Sequence, residues 1–335
     1  MRRPGDLLPG ALLRRLRGRR GAAGPATEPL AERRVVVVTD STACLTAEDA
    51  AACGVVVVPL DVAADVTRYR DGIDLDGDGL AALLAAGRRV TTSQPAPAVL
   101  VAAYEQAARD GAVEVVSVHL SGELSGTVRA AGLAAQLAPL PVRVVDSRST
   151  GMGLGFAVLA AAEAAAGWSP DGASVARTAE RVGRSTSAWF LVDSLDHLRR
   201  GGRLGGTAAA LGTVLGLRPV LALRAGRIEV SERARTRRGA RERLVELVVA
   251  EAVRRGVGDG PGAGGERGAG AAAGSAGGVR VAVQHLGRAE VAEDLAERVR
   301  HATGLPAHDV LVREVGAVLG GHLGPGVLAV VITDR

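Results

Sequence analysis

Apolar runs that end in polar turns dominate the first half of the chain. The first run, Val35 to Val38, is continuous and is followed by Thr39-Asp40-Ser41-Thr42. Such a run is typical of a parallel strand that is buried on both faces. The same pattern predicts strands at 55–60, 113–119 and 142–145, and helices at 46–53, 79–86, 96–110 and 127–137. Strands that alternate with helices predict an α/β fold whose parallel sheet is covered by helices on both faces.

The second half of the chain has a different pattern. An Ala-rich helix is predicted from Gly151 to about Ala166, and Ala222 to Ile228 has the pattern of a β-hairpin. Further helices are predicted at 171–182 and 288–303, and strands at 188–192, 220–225, 227–231, 279–284, 309–314 and 327–332. We therefore predict two α/β domains, residues 33–170 and 171–335, of which the second has a partly antiparallel sheet.

Two segments are expected to lie outside the packed domains. Residues 1–32 are rich in arginine and lack the apolar core of a signal peptide, which favours a disordered basic tail. Residues 256–278 are almost entirely Gly, Ala and Ser, and cannot bury enough apolar surface to become ordered, so we expect a loop insertion. No run of about 18 apolar residues occurs, so we expect no transmembrane helix.

Composition narrows the classes of function. All 41 basic residues are arginine and asparagine is absent, a bias typical of a GC-rich coding sequence, so the pI near 10.3 partly reflects codon usage. Aromatic residues make up only 2% of the chain, too few for the stacking platforms of a nucleic-acid binder. Cys44 and Cys53 lack the CxxC spacing of metal and redox sites. We expect no nucleic-acid partner, and two buried thiols in a reducing compartment.

Three short segments carry most of the polar side chains that could bind a ligand. They are Thr-Thr-Ser-Gln-Pro at 91–95, Ser-Gly-Glu-Leu-Ser-Gly-Thr at 121–127 and His-Leu-Gly-Pro-Gly at 322–326. We place the first two at the ends of neighbouring strands, where ligands of parallel sheets bind and where helix N-termini favour an anion. Thr92, Ser93 and Ser125 are candidate donors to that anion, although Ser and Thr are also routine helix caps.

The third segment places His322 among glycines. Gly320-Gly321 and Gly324-Pro325-Gly326 predict a turn in which the imidazole is accessible to a ligand. A structural role and a ligand contact are equally compatible with this pattern. A triad of Ser125, His322 and an aspartate such as Asp146 makes a serine hydrolase the alternative function, although Ser125 lacks a GxSxG elbow.

Two other motifs do not fit cofactor sites. Asp74 to Gly79 opens like an EF-hand loop, but the position of its bidentate glutamate is Ala85. The segment Gly151 to Phe156 is GxGxG rather than GxGxxG, which we interpret as close helix packing. No P-loop lysine is possible, because the chain contains no lysine. The sequence therefore predicts neither a metal nor a nucleotide cofactor.

Two arginine clusters, at 199–203 and 233–238, lie in the second half. One interpretation is a solvated charged face. The other is a docking surface for an acidic or phosphate-carrying partner, because arginine binds phosphate in a bidentate manner.

Nine short segments match a known family in sequence and in order. They are Val-Thr-Asp-Ser-Thr at 38–42, Tyr-Arg-Asp-Gly-Ile-Asp at 69–74, Thr-Thr-Ser-Gln-Pro at 91–95, Leu-Ser-Gly-Thr at 124–127, Val-Asp-Ser at 145–147, Leu-Arg-Arg-Gly-Gly-Arg-Leu at 198–204, Arg-Pro-Val-Leu at 218–221, Arg-Thr-Arg at 235–237 and His-Leu-Gly-Pro-Gly at 322–326. Over about residues 34–335 the chain thus resembles the DegV family of bacterial fatty-acid-binding proteins, which includes the acyl-carrier subunit of fatty acid kinase.

The resemblance implies a two-domain DegV-like α/β protein that buries one long acyl chain, such as that of palmitate. The carboxylate would be held by Thr92, Ser125 and His322, with Ser93 adjacent. A separate fatty acid kinase would convert the carboxylate to an acyl phosphate, so the carrier itself would be no enzyme and need no cofactor. We also expect a cytoplasmic protein, for which transient contact with a membrane surface is possible.

The resemblance further implies that Arg203 or Arg235 contacts the kinase. The chain departs from the family pattern at two positions. Ala96 stands where the family commonly has serine, and Glu123 adds a carboxylate near Ser125. A charge there would oppose an anionic ligand if it pointed inward, and we expect it to face the surface.

Overall fold

Three β-sheets organise the chain, and the computed structural model describes residues 34–204, 218–257 and 278–335. The strands are β1 Val35–Asp40, β2 Val56–Val58, β3 Asp61–Ala64, β4 Thr67–Arg70, β5 Val90–Ser93, β6 Glu114–His119, β7 Val142–Asp146, β8 Ser187–Leu191, β9 Arg218–Arg224, β10 Arg227–Ala234, β11 Val279–His285, β12 Val310–Glu314 and β13 Leu328–Asp334. The α-helices are α1 Ala47–Cys53, α2 Gly77–Ala85, α3 Pro97–Arg109, α4 Thr127–Ala135, α5 Met152–Ala165, α6 Gly172–Ser185, α7 Asp196–Arg200, α8 Arg237–Arg254, α9 Ala289–Thr303 and α10 Ala317–Leu323. The expected basic tail, and the Gly-rich insertion from residue 258 to 277, lie outside the described residues.

The N-terminal sheet is parallel, with the strand order β2-β1-β6-β7. Its strands bury both faces because alternate valines point to opposite sides. Val35 and Val37 pack with α5 and α6, whereas Val36 and Val38 pack with α3 and α4. The predicted α/β fold with helices on both faces of a parallel sheet is thus confirmed.

The larger sheet has six strands in the order β10-β9-β8-β13-β11-β12. Only the pair β11 and β12 is parallel, and β9 and β10 form the predicted hairpin, so the expectation of a partly antiparallel sheet is confirmed. α8 and α9 cover its outer face through residues such as Leu244, Val248 and Leu295. α8 is not predicted from the sequence, because arginine and glutamate fill most of its exposed positions.

A small antiparallel sheet of order β4-β3-β5 was not predicted. The expected strand at 55–60 is shorter, Val56–Val58, and the chain then turns into this sheet. β4 is almost entirely exposed, and β3 buries only Val62 and Ala64. Strands with so little apolar surface leave no strong alternation in the sequence. This sheet matters because its strand β5 carries Thr92 and Ser93.

α5 lies between the two large sheets and is buried along almost its whole length. Leu154 and Val158 pack on the N-terminal sheet, while Met152 and Phe156 pack on the six-stranded sheet. Gly155 allows this approach, because a Cβ there would lie 2.5 Å from the carbonyl oxygen of Ala43. The interpretation of the GxGxG segment as close helix packing agrees with this arrangement.

α6 begins directly after the predicted domain boundary at residue 170. Val175 and Ala179 belong to the core of the N-terminal sheet, whereas Val182 packs towards the six-stranded sheet. The hydroxyl of Thr333, on β13, donates to the carbonyl oxygen of Val182 at 3.1 Å. α6 therefore touches both halves, and the division at residue 170 stays a prediction.

Candidate functional site

A mostly apolar cavity lies between the inner face of the six-stranded sheet and the loops that follow β6 and β7. Its empty volume is about 920 Å³, which includes space open to solvent. Phe190, Leu223, Ile228, Val318 and Val331 are among the side chains that form its apolar wall. A concave, mostly apolar pocket with a few polar groups is the common form of a small-molecule site.

Thr92 and His322 meet at this cavity, although 230 positions separate them in the chain. The hydroxyl Oγ1 of Thr92 and Nε2 of His322 are 2.7 Å apart, a hydrogen bond whose donor depends on the imidazole tautomer. Thr92 is held in place by β5, where it pairs with Val62 of β3. The structure therefore brings together two of the side chains that the sequence singled out.

His322 lies in the last turn of α10, and its prediction in a turn was wrong. The glycines that suggested a turn are needed for close packing. A Cβ on Gly320 would collide with the side chains of Leu80 and Leu286, and one on Gly321 would lie 3.2 Å from Cγ1 of Val90. Glycine at these positions lets α10 approach α2 and β5.

The N-terminus of α10 is fixed by a buried aspartate. Asp71 accepts a hydrogen bond from the backbone N–H of Ala317 at 2.7 Å, and its second oxygen accepts one from the Ser41 hydroxyl at 2.7 Å. Burial raises the pKa of Asp71. Because Ala317 is the first residue of α10, this contact sets the position of the helix that carries His322.

The environment of His322 disfavours its charged form. Burial lowers its pKa to about 4, and the positive charges of Arg203 and of protonated His197 act in the same direction. The imidazole is therefore neutral near pH 7 in the ligand-free site. An anion placed beside it would favour protonation and raise this pKa.

Ser125 lies on the cavity wall next to the start of α4. Its hydroxyl is 2.8 Å from the hydroxyl of Thr127 and accepts a hydrogen bond from the Thr127 backbone N–H at 3.3 Å. Gly126 is the N-cap residue and provides no capping side chain. Ser125 thus combines a capping contact with a place on the cavity wall.

We expected Thr92 and Ser125 at the ends of neighbouring strands of one sheet. Their strands belong to different sheets instead. β5 belongs to the three-stranded antiparallel sheet, whereas Ser125 follows β6 of the parallel sheet. The two segments touch through Gln94, since a Cβ on Gly126 would overlap the Gln94 side chain. Close packing between the two segments, and not pairing of neighbouring strands, therefore brings Thr92 and Ser125 to the same cavity.

Ser93 and Gln94 are both exposed and line the cavity, so its polar end opens at the surface. Arg203 also lines the cavity, and its Nε donates to the carbonyl oxygen of Leu124 at 3.0 Å. Arg235, in contrast, is exposed and does not line the cavity. The two arginines that the resemblance associates with a partner therefore lie in different environments.

Ser125, His322 and Asp146 do not form the hydrogen bonds of a catalytic triad. The hydroxyl of Ser125 bonds to Thr127, and the imidazole of His322 bonds to Thr92. Asp146 instead accepts hydrogen bonds from the backbone N–H groups of Gly122 and Arg148, at 3.2 and 2.8 Å. No observation favours the alternative function.

Glu123 does not line the cavity. One of its carboxylate oxygens accepts from Nε of Arg227 at 2.8 Å, and this ion pair is largely exposed. The expected surface orientation of Glu123 is therefore observed, and its charge is paired with an arginine of the other half of the chain.

Two cavity residues were not identified from the sequence. Thr150 and Gln284 line the wall, yet Oγ1 of Thr150 and Nε2 of Gln284 are buried and have no hydrogen-bond partner among the described residues. Each such atom costs about 1 to 3 kcal/mol of stability. A glutamine within the apolar run of β11, Val-Arg-Val-Ala-Val-Gln, is the signal that could have drawn attention to this position.

The remaining candidate groups have ordinary structural roles. Asp74 pairs with Arg70, and Asp76 caps α2, so the EF-hand-like segment forms a turn. Cys44 and Cys53 are free and partly buried, and burial raises the pKa of both thiols. Across the ranges that the structure describes, no cluster of His, Cys, Asp and Glu could hold a metal ion, and no helix is long and apolar enough to cross a membrane.

Comparison with known proteins identifies the family. Residues 34–264 match the family model described as "Uncharacterised protein, DegV family". The chain belongs to the DegV family. It is 44% identical over 305 residues to a DegV domain-containing protein of Streptomyces coelicolor, which covers 90% of this chain and 99% of that protein.

Solved structures of DegV proteins share this architecture. A DegV family protein of Thermus thermophilus, described as fatty acid binding, is 36% identical and aligns over 90% of this chain and 100% of its own with a TM-score of 0.76. DegV of Bacillus subtilis, described as a fatty acid binding protein, is 30% identical with the same coverage and a TM-score of 0.77. The DegV-like fold inferred from the sequence motifs is therefore confirmed.

Proposed function

We propose that this DegV protein binds a long-chain fatty acid, with the acyl chain in the apolar cavity and the carboxylate at its polar end. The observation that carries the proposal is the hydrogen bond between Thr92 and His322 on the wall of a mostly apolar pocket. The fatty acid binding described for the relatives from T. thermophilus and B. subtilis supports the same ligand class.

The carboxylate is held by Thr92, Ser125 and His322, with Ser93 adjacent. Hydroxyl groups donate to a carboxylate, and hydrogen bonds to an ionised acceptor are about twice as strong as neutral ones. Arg203 lines the same cavity and adds a positive charge, which lowers the free energy of an anion there. Binding also raises the pKa of His322, so the imidazole takes up a proton in the complex when the pH falls towards that raised pKa.

The protein acts as a carrier that presents the carboxylate to a separate fatty acid kinase. Ser93 and Gln94 are exposed, so the polar end of the cavity faces the surface where a second protein can reach it. Arg235 is exposed outside the cavity and serves as a contact for the kinase, whereas Arg203 acts at the mouth. The proposal places the carrier in the cytoplasm, where a kinase has access to ATP.

The ligand is tested by mass spectrometry of an organic-solvent extract of the purified protein. We expect a long-chain fatty acid in the extract, and binding of palmitate by the delipidated protein in isothermal titration calorimetry. If the extract contains no fatty acid and the delipidated protein fails to bind palmitate, the proposed function is wrong.

The site is tested by titrating palmitate into Ser125→Ala and His322→Ala. Loss of one hydrogen bond to a charged group costs about 1.5 to 3 kcal/mol, which weakens palmitate binding about 10- to 100-fold. His301→Ala, an exposed histidine on α9, is the matched control and should bind like the wild type. Normal palmitate affinity in both site variants would refute the residue assignment while leaving the ligand class intact.

The carrier role is tested by acyl phosphate formation from bound palmitate, with a purified bacterial fatty acid kinase and ATP. We expect Arg235→Ala to slow this reaction roughly tenfold, since interface arginines often contribute more than 1 kcal/mol, with unchanged affinity for palmitate. Arg68→Ala, which removes an exposed arginine from β4, is the control. Acyl phosphate formation by the protein without kinase would contradict a carrier.

A further inference from the structure

A second cleft lies on the outer face of the six-stranded sheet, and its charge is strongly positive. The described residues that line it include four arginines and a single acid, Asp193, which leaves a net charge of +3. We call it the arginine cleft after Arg218, Arg237, Arg241 and Arg288. Its empty volume is about 500 Å³, which includes space open to solvent. The motifs at 218–221 and 235–237 supply two of these arginines, and neither motif lines the acyl cavity.

The six-stranded sheet separates the arginine cleft from the acyl cavity. Leu191 and Leu328 pair across β8 and β13 and line the cleft. Their neighbours Phe190 and Ala329 also pair with each other, and they line the cavity. Because consecutive residues of a strand point to opposite faces, the two sites lie on opposite sides of the sheet. A ligand in the cleft therefore does not compete with a fatty acid for space.

Asp193 holds three of the arginines in place without neutralising the cleft. Its carboxylate oxygens lie 3.4 Å from a guanidinium nitrogen of Arg237 and 3.0 Å from one of Arg288. Its backbone carbonyl oxygen accepts a hydrogen bond from Arg218 at 3.2 Å. The side chains of Arg237 and Arg288 are still 53% and 37% exposed, and each guanidinium has five N–H donors. Donors therefore remain accessible to a ligand from solvent.

Gly326 makes room for this arrangement. Its φ is +83°, a conformation that other residues rarely adopt. A Cβ at this position would lie 2.5 Å from Oδ2 of Asp193 and 3.1 Å from a guanidinium nitrogen of Arg288. The last glycine of the segment His-Leu-Gly-Pro-Gly thus serves the arginine cleft, whereas the histidine of the same segment serves the acyl cavity.

Arg241 lines the cleft and has no hydrogen bond or ion pair among the described residues. It follows Arg237 by one turn of α8, so the two side chains lie on the same side of the helix. Like charges at this spacing repel each other, and positive charge is unfavourable near a helix N-terminus. The first turn of α8 contains no acid that could compensate. The unliganded protein therefore has positive charge where it destabilises α8, and a bound anion would relieve this repulsion.

The N-terminus of α9 borders the same cleft. Arg288 is the N-cap residue of α9, and no side chain caps this helix. Val291, in its first turn, lines the cleft. The backbone N–H groups of a first turn have no partner within their helix, so they add to the positive potential that the guanidinium groups create.

We propose that the arginine cleft binds the phosphate or diphosphate group of a small-molecule ligand. A carboxylate carries one negative charge and leaves most of the +3 uncompensated, whereas a phosphate or diphosphate carries two or more. Arginine also matches phosphate geometry through bidentate hydrogen bonds. The apolar side chains of Leu191, Val291 and Leu328 accommodate a less polar part of the ligand. A soluble nucleotide and a phospholipid headgroup share this chemistry.

The experiment is a calorimetric titration of inorganic pyrophosphate into the full-length protein, in buffer without divalent cations. We expect pyrophosphate to bind at least tenfold more tightly than acetate. Arg241→Gln should weaken pyrophosphate binding about tenfold and leave palmitate affinity unchanged. Arg177→Gln, at an exposed position of α6, removes the same charge elsewhere and is the matched control.

ADP and glycerol 3-phosphate distinguish the two sources of phosphate. Tighter binding of ADP identifies a nucleotide ligand, and tighter binding of glycerol 3-phosphate identifies a lipid headgroup. The preferred compound should lose about tenfold in affinity in Arg241→Gln.

Two results would overturn the inference. One is equal pyrophosphate affinity in the wild type and Arg241→Gln. The other is an equal loss in Arg177→Gln, which would make the attraction a general property of a basic protein. Should Arg241→Gln fail to fold, Arg218→Gln is tested in its place, with the same expected loss. No fatty acid takes part in the pyrophosphate titration, so its result is independent of the proposed function.

Discussion

Two histidines of this protein, His119 and His322, lie beside hydroxyl groups. They differ in whether a ligand could reach the imidazole. His119, at the end of β6, is fully buried and uses both ring nitrogens, towards Asp40 at 3.0 Å and Ser117 at 2.8 Å. His322 borders a cavity, and Thr92 is its one hydrogen-bond partner among the described residues. The first is enclosed by its partners, while the second is open to a ligand.

The network around His119 contains the residue types of a catalytic triad. The hydroxyl of Ser117 is also 2.8 Å from that of Tyr104, and Asp40 additionally accepts from the Leu120 backbone N–H at 3.0 Å. Its side chains are buried, with no exposure at Asp40, Ser117 and His119. An Asp-His-Ser series without access to solvent contributes to stability and cannot meet a substrate. The candidate site around His322 differs from the His119 network in its access to the cavity and in its unused hydrogen-bonding groups, and not in its residue types.

The largest effect is expected from Asp40→Ala. The change leaves the buried imidazole of His119 and the backbone N–H of Leu120 without their acceptor, and each unsatisfied buried group costs about 1 to 3 kcal/mol. Urea unfolding of the delipidated protein should show this loss, whereas the palmitate affinity of the folded protein should stay within twofold of the wild type. The exposed Asp294→Ala is the control. A large loss of palmitate affinity without loss of stability would remove the distinction between the two histidines.

A smaller effect is expected from pH, through His322. Its pKa is lowered to about 4 from 6.5, so the unfolded state binds more protons between these values. The contribution of neutral His322 to the unfolding free energy is therefore fully present above pH 6.5 and is lost as the pH falls through 4. At pH 4.5 the loss is about 2 to 3 kcal/mol relative to pH 7.

Comparing the wild type with His322→Gln isolates this contribution from other titrating groups, which include His197 nearby. The difference in unfolding free energy between the two proteins should change over this pH range in the delipidated state. Bound palmitate should reduce the change, because a carboxylate raises the pKa of His322. Equal pH profiles for both proteins would mean that His322 is not buried as described.

The smallest effect is expected from Gly201→Ala. A Cβ on Gly201 would overlap Nδ1 of His322, although the backbone of Gly201 is unstrained for any residue. Displacement of the imidazole should weaken palmitate binding several-fold, since overpacking costs about 1 to 3 kcal/mol. Gly132→Ala on α4, where a Cβ meets no neighbour, is the control and should leave affinity unchanged. Unaltered affinity in Gly201→Ala would show that the ring position is not critical.

Strongly apolar elements could be predicted from the sequence, and weakly apolar ones could not. β1 begins with four consecutive valines and β6 contains three, and their pairing in a parallel sheet agrees with expectation. β4 has no such signal, because almost all of it is exposed. Thr92 lies on the small sheet β4-β3-β5, which the hydrophobic pattern of the sequence does not indicate, so its position could not be predicted.

The candidate site was only partly predictable from the sequence, because contacts between distant segments decide where its side chains lie. Thr92 and Ser125 stand out as hydroxyl residues in short polar segments, and His322 as a histidine among glycines. Gly320 and Gly321, however, indicated a turn where close packing requires a glycine-rich helix. Arg203 was expected at a partner interface, and the structure places it on the cavity wall. Which side of an element a side chain faces depends on contacts between segments far apart in sequence.

The position of α5 between the two large sheets has a consequence for how the protein unfolds. Because Leu154 packs on one sheet and Phe156 on the other, neither sheet can lose its partner without exposing this helix to water. We therefore expect a core substitution on one side to destabilise the other side as well, and the two halves to unfold as a single cooperative unit. Thr150 and Gly151, which lead directly into this helix, line the cavity, so the helix also anchors one part of the cavity wall.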